Sequence, residues 1–351
     1  MASQSRRSTF QALGRLAARP EKPFREELLS IEGLEERAKA LAARFTVDPR
    51  RRGGRKDYPR LDENAAVLRE AYRLLAEDVH RGAFVTPATE WLLDNFHLVA
   101  GEIRDVRQSL PRGYYRELPM LALRELAGTA RVYAMAVELV RHTDSRLDRA
   151  KLLRFVNAFQ TVAPLTIGEL WAWPSMLKLA LIENLRRLAV EMLVARAARL
   201  AAEEYLARAA AGGRLPPLPP SLPMAFVVQV LQGLREYGTQ LSALRVAVDE
   251  QLRGQRLTAE EAIRREHQGQ AAAQVSVANV ITGLRLCSTF DWSQYVEAVS
   301  LIERVLQRDP AGVYASMDFL SRDRYRHAVE ELAEPTGEAQ VRVALRVVES
   351  A

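Results

Sequence analysis

Glu90, Asp94 and His97 are four and three residues apart, a spacing that puts two carboxylates and an imidazole on one face of a helix. Such a trio is raw material for a metal site or for acid–base chemistry. No second His and no Cys stands at ligand spacing, so the plainer reading is the solvated side of an amphipathic helix. For Asp94, Asn95 and His97 an intermediate reading is a polar cluster where helices touch. Tyr114, Tyr115 and Arg116 follow a Pro-Arg-Gly turn and precede Glu117. Paired rings beside a guanidinium suit stacking on a sugar or holding an acidic group. Inward-packed rings whose hydroxyls satisfy a neighbouring helix account for the same residues.

Glu183 and Arg187 are four apart in an otherwise apolar run, with Asn184 and Arg186 between them. Buried charge must be paired, so this group reads as a polar network between helices. His142 and Asp144 read as helix-end capping, and Trp171 and Trp173, at the kink expected from Pro174, as core packing. A P-loop, a GxGxxG fingerprint, GxSxG and HExxH are all missing from the sequence. The residues therefore nominate no catalytic group and no metal site.

The elements that must position these residues are helices throughout. Thr86 and Pro87 suit the N-cap and first turn of a helix whose apolar stripe runs Leu92, Phe96, Val99, Ile103, Val106 and Leu110. Pro111 and Gly113 end it. Helices are expected over Phe24–Phe45, Asp62–Asp78, Met120–Arg141 and Asp148–Gln160. Thr166 and Glu169 match a capping box, which opens the longest run, Ile167–Ala211, with Pro174 expected to kink it. Leu92, Phe96, Val99, Ile103, Leu152, Phe155, Phe159, Leu181, Ile182 and Leu185 are the expected core of this part. Gly212-Gly213 and the prolines from Pro216 to Pro223 can be neither helix nor paired strand. Further helices are expected over Ala225–Arg253, from the second capping box at Thr258 and Glu261, over Trp292–Gln307, over Arg322–Leu332 and over Glu338–Val348. The fold class is all-α: an irregular array of antiparallel helices with one long kinked helix. Its expected parts are a basic N-terminal segment 1–56, a helical subdomain 57–212, a linker 213–223 and a second helical subdomain 224–351.

Composition agrees. The 351 residues are 48% hydrophobic, with only 18 Gly and 16 Pro, enough to bury one large or two moderate cores. Net charge is +6, yet all but five of the 50 basic residues are Arg, mostly interleaved with Glu and Asp as on ordinary solvated helix faces. The exception is Arg50–Lys56, a run that suits an anionic lipid surface. Nucleic acid is not an expected partner. One cysteine, Cys287, allows no disulfide within the chain, which agrees with a reducing compartment. No apolar run reaches the length of roughly 18 residues that a membrane span requires, and no secretory signal is apparent.

Several unusual strings occur in one order: Leu93-Asp94-Asn95-Phe96-His97, Leu110-Pro111-Arg112-Gly113-Tyr114-Tyr115-Arg116-Glu117-Leu118-Pro119, His142-Thr143-Asp144-Ser145, Leu165-Thr166-Ile167-Gly168-Glu169-Leu170-Trp171 and Glu183-Asn184-Leu185-Arg186-Arg187. Met317-Asp318-Phe319 and Ser321-Arg322-Asp323-Arg324-Tyr325-Arg326-His327 follow near the end. Together the chain resembles the N-terminal region of bacterial cyclic β-1,2-glucan synthases, over roughly residues 57 to 335.

The resemblance implies a chain without the synthase's membrane, glycosyltransferase and phosphorylase-like parts. It implies a non-catalytic scaffold or regulatory region of an inner-membrane enzyme that uses UDP-glucose and a divalent metal, with neither cofactor held by this chain. In keeping with this, the sequence has no Asp-x-Asp-like metal motif and no glutamine-arginine-tryptophan acceptor motif. The implied partner is the membrane-embedded glycosyltransferase part, and the implied location the cytoplasm or the cytoplasmic face of the inner membrane. Tyr114–Glu117 and Arg322, Arg324 and Arg326 are the expected docking surface, because interfaces favour exposed Arg and Tyr. The alternative is a stand-alone helical module that binds an anionic partner, a lipid surface or the less expected nucleic acid, through the Arg50–Lys56 loop.

Overall fold

The computed structural model describes residues 21–48, 60–212, 218, 222–237 and 241–351. The basic run Arg50–Lys56 and most of the Gly/Pro stretch lie outside the described residues. Among the described residues the chain is all-α, with 16 helices and no sheet. In chain order they are α1 (Ile31–Arg44), α2 (Leu61–His80), α3 (Pro87–Asp94), α4 (Phe96–Ser109), α5 (Arg112–Glu117), α6 (Arg131–His142), α7 (Arg149–Gln160), α8 (Ile167–Ala210), α9 (Met224–Tyr237), α10 (Ser242–Gly254), α11 (Ala259–Thr289), α12 (Trp292–Val299), α13 (Leu301–Leu306), α14 (Val313–Ser316), α15 (Phe319–Ala333) and α16 (Gln340–Ser350).

Polar side chains decide where the helices start and stop. Thr86 caps α3, accepting the Thr89 N–H, with Pro87 in the first turn. The expected single helix through Leu110 is divided at Asn95, whose carboxamide donates to the Trp91 carbonyl at 2.9 Å beside its own backbone N–H at 3.3 Å, closing α3 there. Ser300 divides the expected Trp292–Gln307 helix in the same way, turning away from helical geometry and capping α13 by accepting the Glu303 N–H. The Ala225–Arg253 expectation also falls into two helices, α9 and α10. Phe24–Leu29 is not helical; its N–H groups at Glu26 and Leu29 donate to the Arg141 and His142 carbonyls at the end of α6. By contrast α8 runs through Pro174 for 44 residues, although Pro174 has no N–H to give the Leu170 carbonyl.

Two compact units are formed, neither of them contiguous in sequence. The first comprises Asn64–Phe96, Leu185–Ala278 and the described residues before Phe24. Its core joins Ala202 and Leu206 of α8 to Phe226, Val227, Val230 and Leu231 of α9 and to Val248 and Leu252 of α10. Residues on both sides of the Gly212–Pro223 stretch therefore lie in one unit. Gly233 explains the closeness of α9 to α8: a Cβ there would lie 2.4 Å from Leu206 Cδ1. Arg196 forks onto Asp78 in the same unit, Nη2 to Oδ1 at 2.7 Å, with both side chains largely buried.

The second unit comprises Phe24–Glu63, His97–Asn184 and Asn279–Ala351. Leu34 and Leu41 of α1, Val99 and Ile103 of α4, Leu152, Phe155 and Phe159 of α7, and Trp173, Leu181 and Ile182 of α8 are buried in its core. The expected single core is thus two: Leu92 and Leu185 are buried in the first unit. Phe96, also in the first unit, is only partly buried and stacks on Tyr72 with ring centroids 4.4 Å apart. Among the described residues no helix is long and apolar enough to cross a membrane.

Candidate functional site

The start of α8 organises the second unit. Thr166 and Glu169 form the expected capping box: the Glu169 N–H donates to Thr166 Oγ1 at 3.1 Å, and the Thr166 N–H to Glu169 Oε2 at 2.9 Å. The fully buried Glu169 carboxylate also receives the Arg131 guanidinium, Nε to Oε1 at 2.8 Å and Nη2 to Oε2 at 2.6 Å. The spacing showed the cap and gave no sign of Arg131, which is far away in sequence. Gln340, at the start of α16, accepts the Ile167 N–H at 2.8 Å through Oε1 and donates through Nε2 to Glu330 Oε1 at 3.0 Å. The Tyr114 hydroxyl donates to the Gly168 carbonyl at 2.6 Å. Burial raises the Tyr114 phenol above the usual tyrosine range, and the Glu330, Glu117 and Glu169 carboxylates add to this.

These contacts frame a cleft of about 970 Å³. Its walls carry Glu117, Asp323, Glu330, Glu331, Glu334 and Glu338, and none of the described residues that line it is Lys or Arg. The half-buried rings of Tyr114 and Trp171 form part of the same lining. Arg326 holds Asp323 at 3.0 Å, and Arg346 holds Glu338 at 3.1 Å. Asp323 and Glu338 are thus each held by an arginine from outside the lining.

Arg326, which holds the lining residue Asp323, also joins a buried polar cluster centred on Glu303 of α13. Glu303 is 1% exposed and accepts from Arg326 Nη1 at 2.6 Å, the Tyr314 hydroxyl at 2.7 Å, Gln307 Nε2 at 3.0 Å and Arg322 Nη1 at 3.3 Å. Arg326 is fully buried, with its guanidinium over the Phe319 ring at 5.1 Å, and Arg322 is largely buried and also reaches Glu297 at 2.8 Å. The expected exposed trio of arginines is corrected accordingly: only Arg324 of the three is exposed. The reason is helical phase: α15 points Arg322 and Arg326, four residues apart, at Glu303. In α5, Arg116 and Glu117 are exposed, while Tyr115 is buried with its hydroxyl accepting the Ala130 N–H at 3.3 Å.

Glu183 is buried and pairs with Arg60 at 3.2 Å, and Arg187, in the other unit, donates to the Lys22 carbonyl at 3.0 Å. Between them in sequence, the fully buried Asn184 accepts the Phe24 N–H at 2.7 Å and donates to Ser145 Oγ at 3.0 Å. Asp144 and Ser145 both have left-handed backbones, at φ 45° and 64°. Asn279 Nδ2 donates to the Asp144 carbonyl at 3.0 Å. His142 donates through Nδ1 to the Glu27 carbonyl at 2.9 Å.

Asp94 and His97 are exposed and lie on different helices, α3 and α4, because Asn95 ends the first. The one-face geometry drawn from their spacing is therefore lost. Among the described residues no group of three or more His, Cys, Asp or Glu is placed to hold a metal ion.

No family model matches the chain. The protein of Rhizobium meliloti (strain 1021) described as cyclic beta-(1,2)-glucan synthase NdvB is 36% identical over 303 residues, a match that covers 82% of this chain. The chain spans only 10% of the length of that curated relative. Over most of its length this chain is thus similar to a one-tenth segment of a cyclic β-1,2-glucan synthase.

Proposed function

We propose that the chain is the N-terminal helical scaffold of a cyclic β-1,2-glucan synthase and serves glucan synthesis through contact, not turnover. On this reading the intact protein polymerises glucose from UDP-glucose with a divalent metal at the cytoplasmic face of the inner membrane, and this region packs against and orients the catalytic part. The observation that carries the reading is the 36% identity across most of the chain to a small share of a synthase. Supporting it, several polar residues of the recognisable strings are engaged in internal structure: Tyr114 with Gly168, Asn184 with Phe24 and Ser145, Arg326 with Glu303. A scaffold needs such fixed geometry.

The docking surface on this reading is formed by Arg116, Glu117 and Arg324, three of the exposed members of the matching strings. Arg116→Glu with Arg324→Glu in a full-length synthase should lower glucan output while leaving the isolated chain folded by circular dichroism. Normal output would remove this surface. Residues 1–351 alone, supplied with UDP-glucose and Mg²⁺ or Mn²⁺, should neither hydrolyse the nucleotide sugar nor transfer glucose; detectable transfer would overturn the non-catalytic reading.

A further inference from the structure

We infer that the cleft at the start of α8 binds a neutral, polyhydroxylated sugar chain. The identity of the sugar, glucose, rests on the synthase reading above; the site itself rests on the cleft. At about 970 Å³ it falls within the range of small-ligand sites, roughly 300–1,000 Å³. Its charge narrows the ligand class first. Six carboxylates, faced among the described lining residues by no Lys or Arg and by His327, which lies 3.6 Å from Asp323, repel phosphate, nucleotides and anionic lipid headgroups. A nucleotide sugar is therefore rejected, and a neutral ligand rich in hydroxyl donors is accepted. Each sugar hydroxyl can donate to a carboxylate oxygen, and such charge-assisted hydrogen bonds are stronger than neutral ones. The exposed Glu117 and Glu331 are the side chains best placed to receive them.

The rings of Tyr114 and Trp171 supply the apolar surface that the C–H faces of a pyranose need. These walls are also set in advance. Tyr114 is fixed by its bond to the Gly168 carbonyl, and the Gln340 amide is held at both ends, by the Ile167 N–H and by Glu330. A ligand that enters meets ordered groups and forfeits less free energy to side-chain ordering. A polycationic peptide would satisfy the charge alone, but two of the six carboxylates already face Arg326 and Arg346.

The test is titration of residues 1–351 with linear β-1,2-linked gluco-oligosaccharides, followed by calorimetry, with an oligo-arginine peptide and inorganic phosphate in parallel. The oligosaccharide should bind saturably and phosphate should not. Trp171→Ala and, separately, the exposed Glu331→Gln should each raise Kd roughly tenfold or more. Glu331→Gln keeps the test open should loss of the Trp171 packing on Phe319 disturb folding, and circular dichroism checks both variants. No oligosaccharide binding by the folded chain overturns the inference, as does binding untouched by Glu331→Gln or an arginine peptide that displaces the sugar from the same residues. The synthase reading fails differently, through unchanged glucan output when this region is deleted from the full-length enzyme.

Discussion

Asn184 and Ser145 meet at 3.0 Å in a site with no solvent access, the carboxamide of α8 donating to the hydroxyl of a left-handed turn. The same carboxamide accepts the Phe24 N–H, so one side chain joins a helix, a turn and an extended segment. Asn184→Ala should cost about 1–3 kcal/mol for each group left unpaired. Urea unfolding measures this, and a loss well under 1 kcal/mol would mean that the groups find other partners.

Glu303→Ala should be among the most damaging single changes, up to about 3–5 kcal/mol, because it takes the closest carboxylate from the buried Arg326 guanidinium, which keeps Asp323 at 3.0 Å and Glu297 at 3.5 Å. Adding Arg326→Met should recover part of that loss. A double-mutant cycle in chemical denaturation reads the coupling; strict additivity would show that the pair does not act together.

Phe155 and Phe96 now separate. Phe155 is 1% exposed and stacks near Trp173, so Phe155→Ala should cost about 3–5 kcal/mol. Phe96→Ala should cost distinctly less, since half-buried stacking on Tyr72 is what it removes. Equal shifts in the thermal midpoint would contradict this burial pattern.

Burial pushes the Cys287 thiol up to about 12. In the native chain it should resist iodoacetamide at pH 8, and it should react at the rate of a free thiol once the chain is unfolded. Rapid native alkylation would mean that the end of α11 opens easily.

Asp309 accepts the Tyr314, Ala311 and Val313 N–H groups at 3.0, 3.0 and 2.9 Å, which lowers its carboxyl below the usual range. Asp318 is lowered by the Ser321 N–H, which it caps. The sign follows from the depressed folded value: this stabilisation is present above about pH 4 and fades as pH falls through the folded value. Asp309→Asn with Asp318→Asn should therefore flatten the acid limb of stability against pH. An unchanged limb would place acid sensitivity elsewhere.

The sequence revealed the helical class and the helix starts because those signals are local. Thr166 with Glu169 and Thr258 with Glu261 pair within one turn, so a three-residue spacing suffices to read them. Breaks at Asn95 and Ser300 were hidden because the apolar stripe continues across them and only a side-chain bond to the backbone ends the helix. The site was less legible. The Pro-Arg-Gly turn before Tyr114 allows an inward hydroxyl, but its partner Gly168 lies 54 positions away. Arg326 looked like surface because burial of an arginine depends on a carboxylate, Glu303, that no periodicity links to it.

A left-handed turn is where glycine is easiest, since side chains at such φ values strain the backbone by about 1–2 kcal/mol per residue. Residues 144 and 145 keep side chains nonetheless. Asp144 Oδ2 lies 3.3 Å from Asn279 Nδ2, and Ser145 Oγ takes the Asn184 amide. A Gly-Gly replacement would relax the backbone and at the same time unfasten α8 from the end of α6, while α11 would keep only the bond from Asn279 to the main-chain carbonyl of residue 144. In this turn the chain trades conformational ease for anchorage, so changes that look favourable by backbone geometry alone should loosen it.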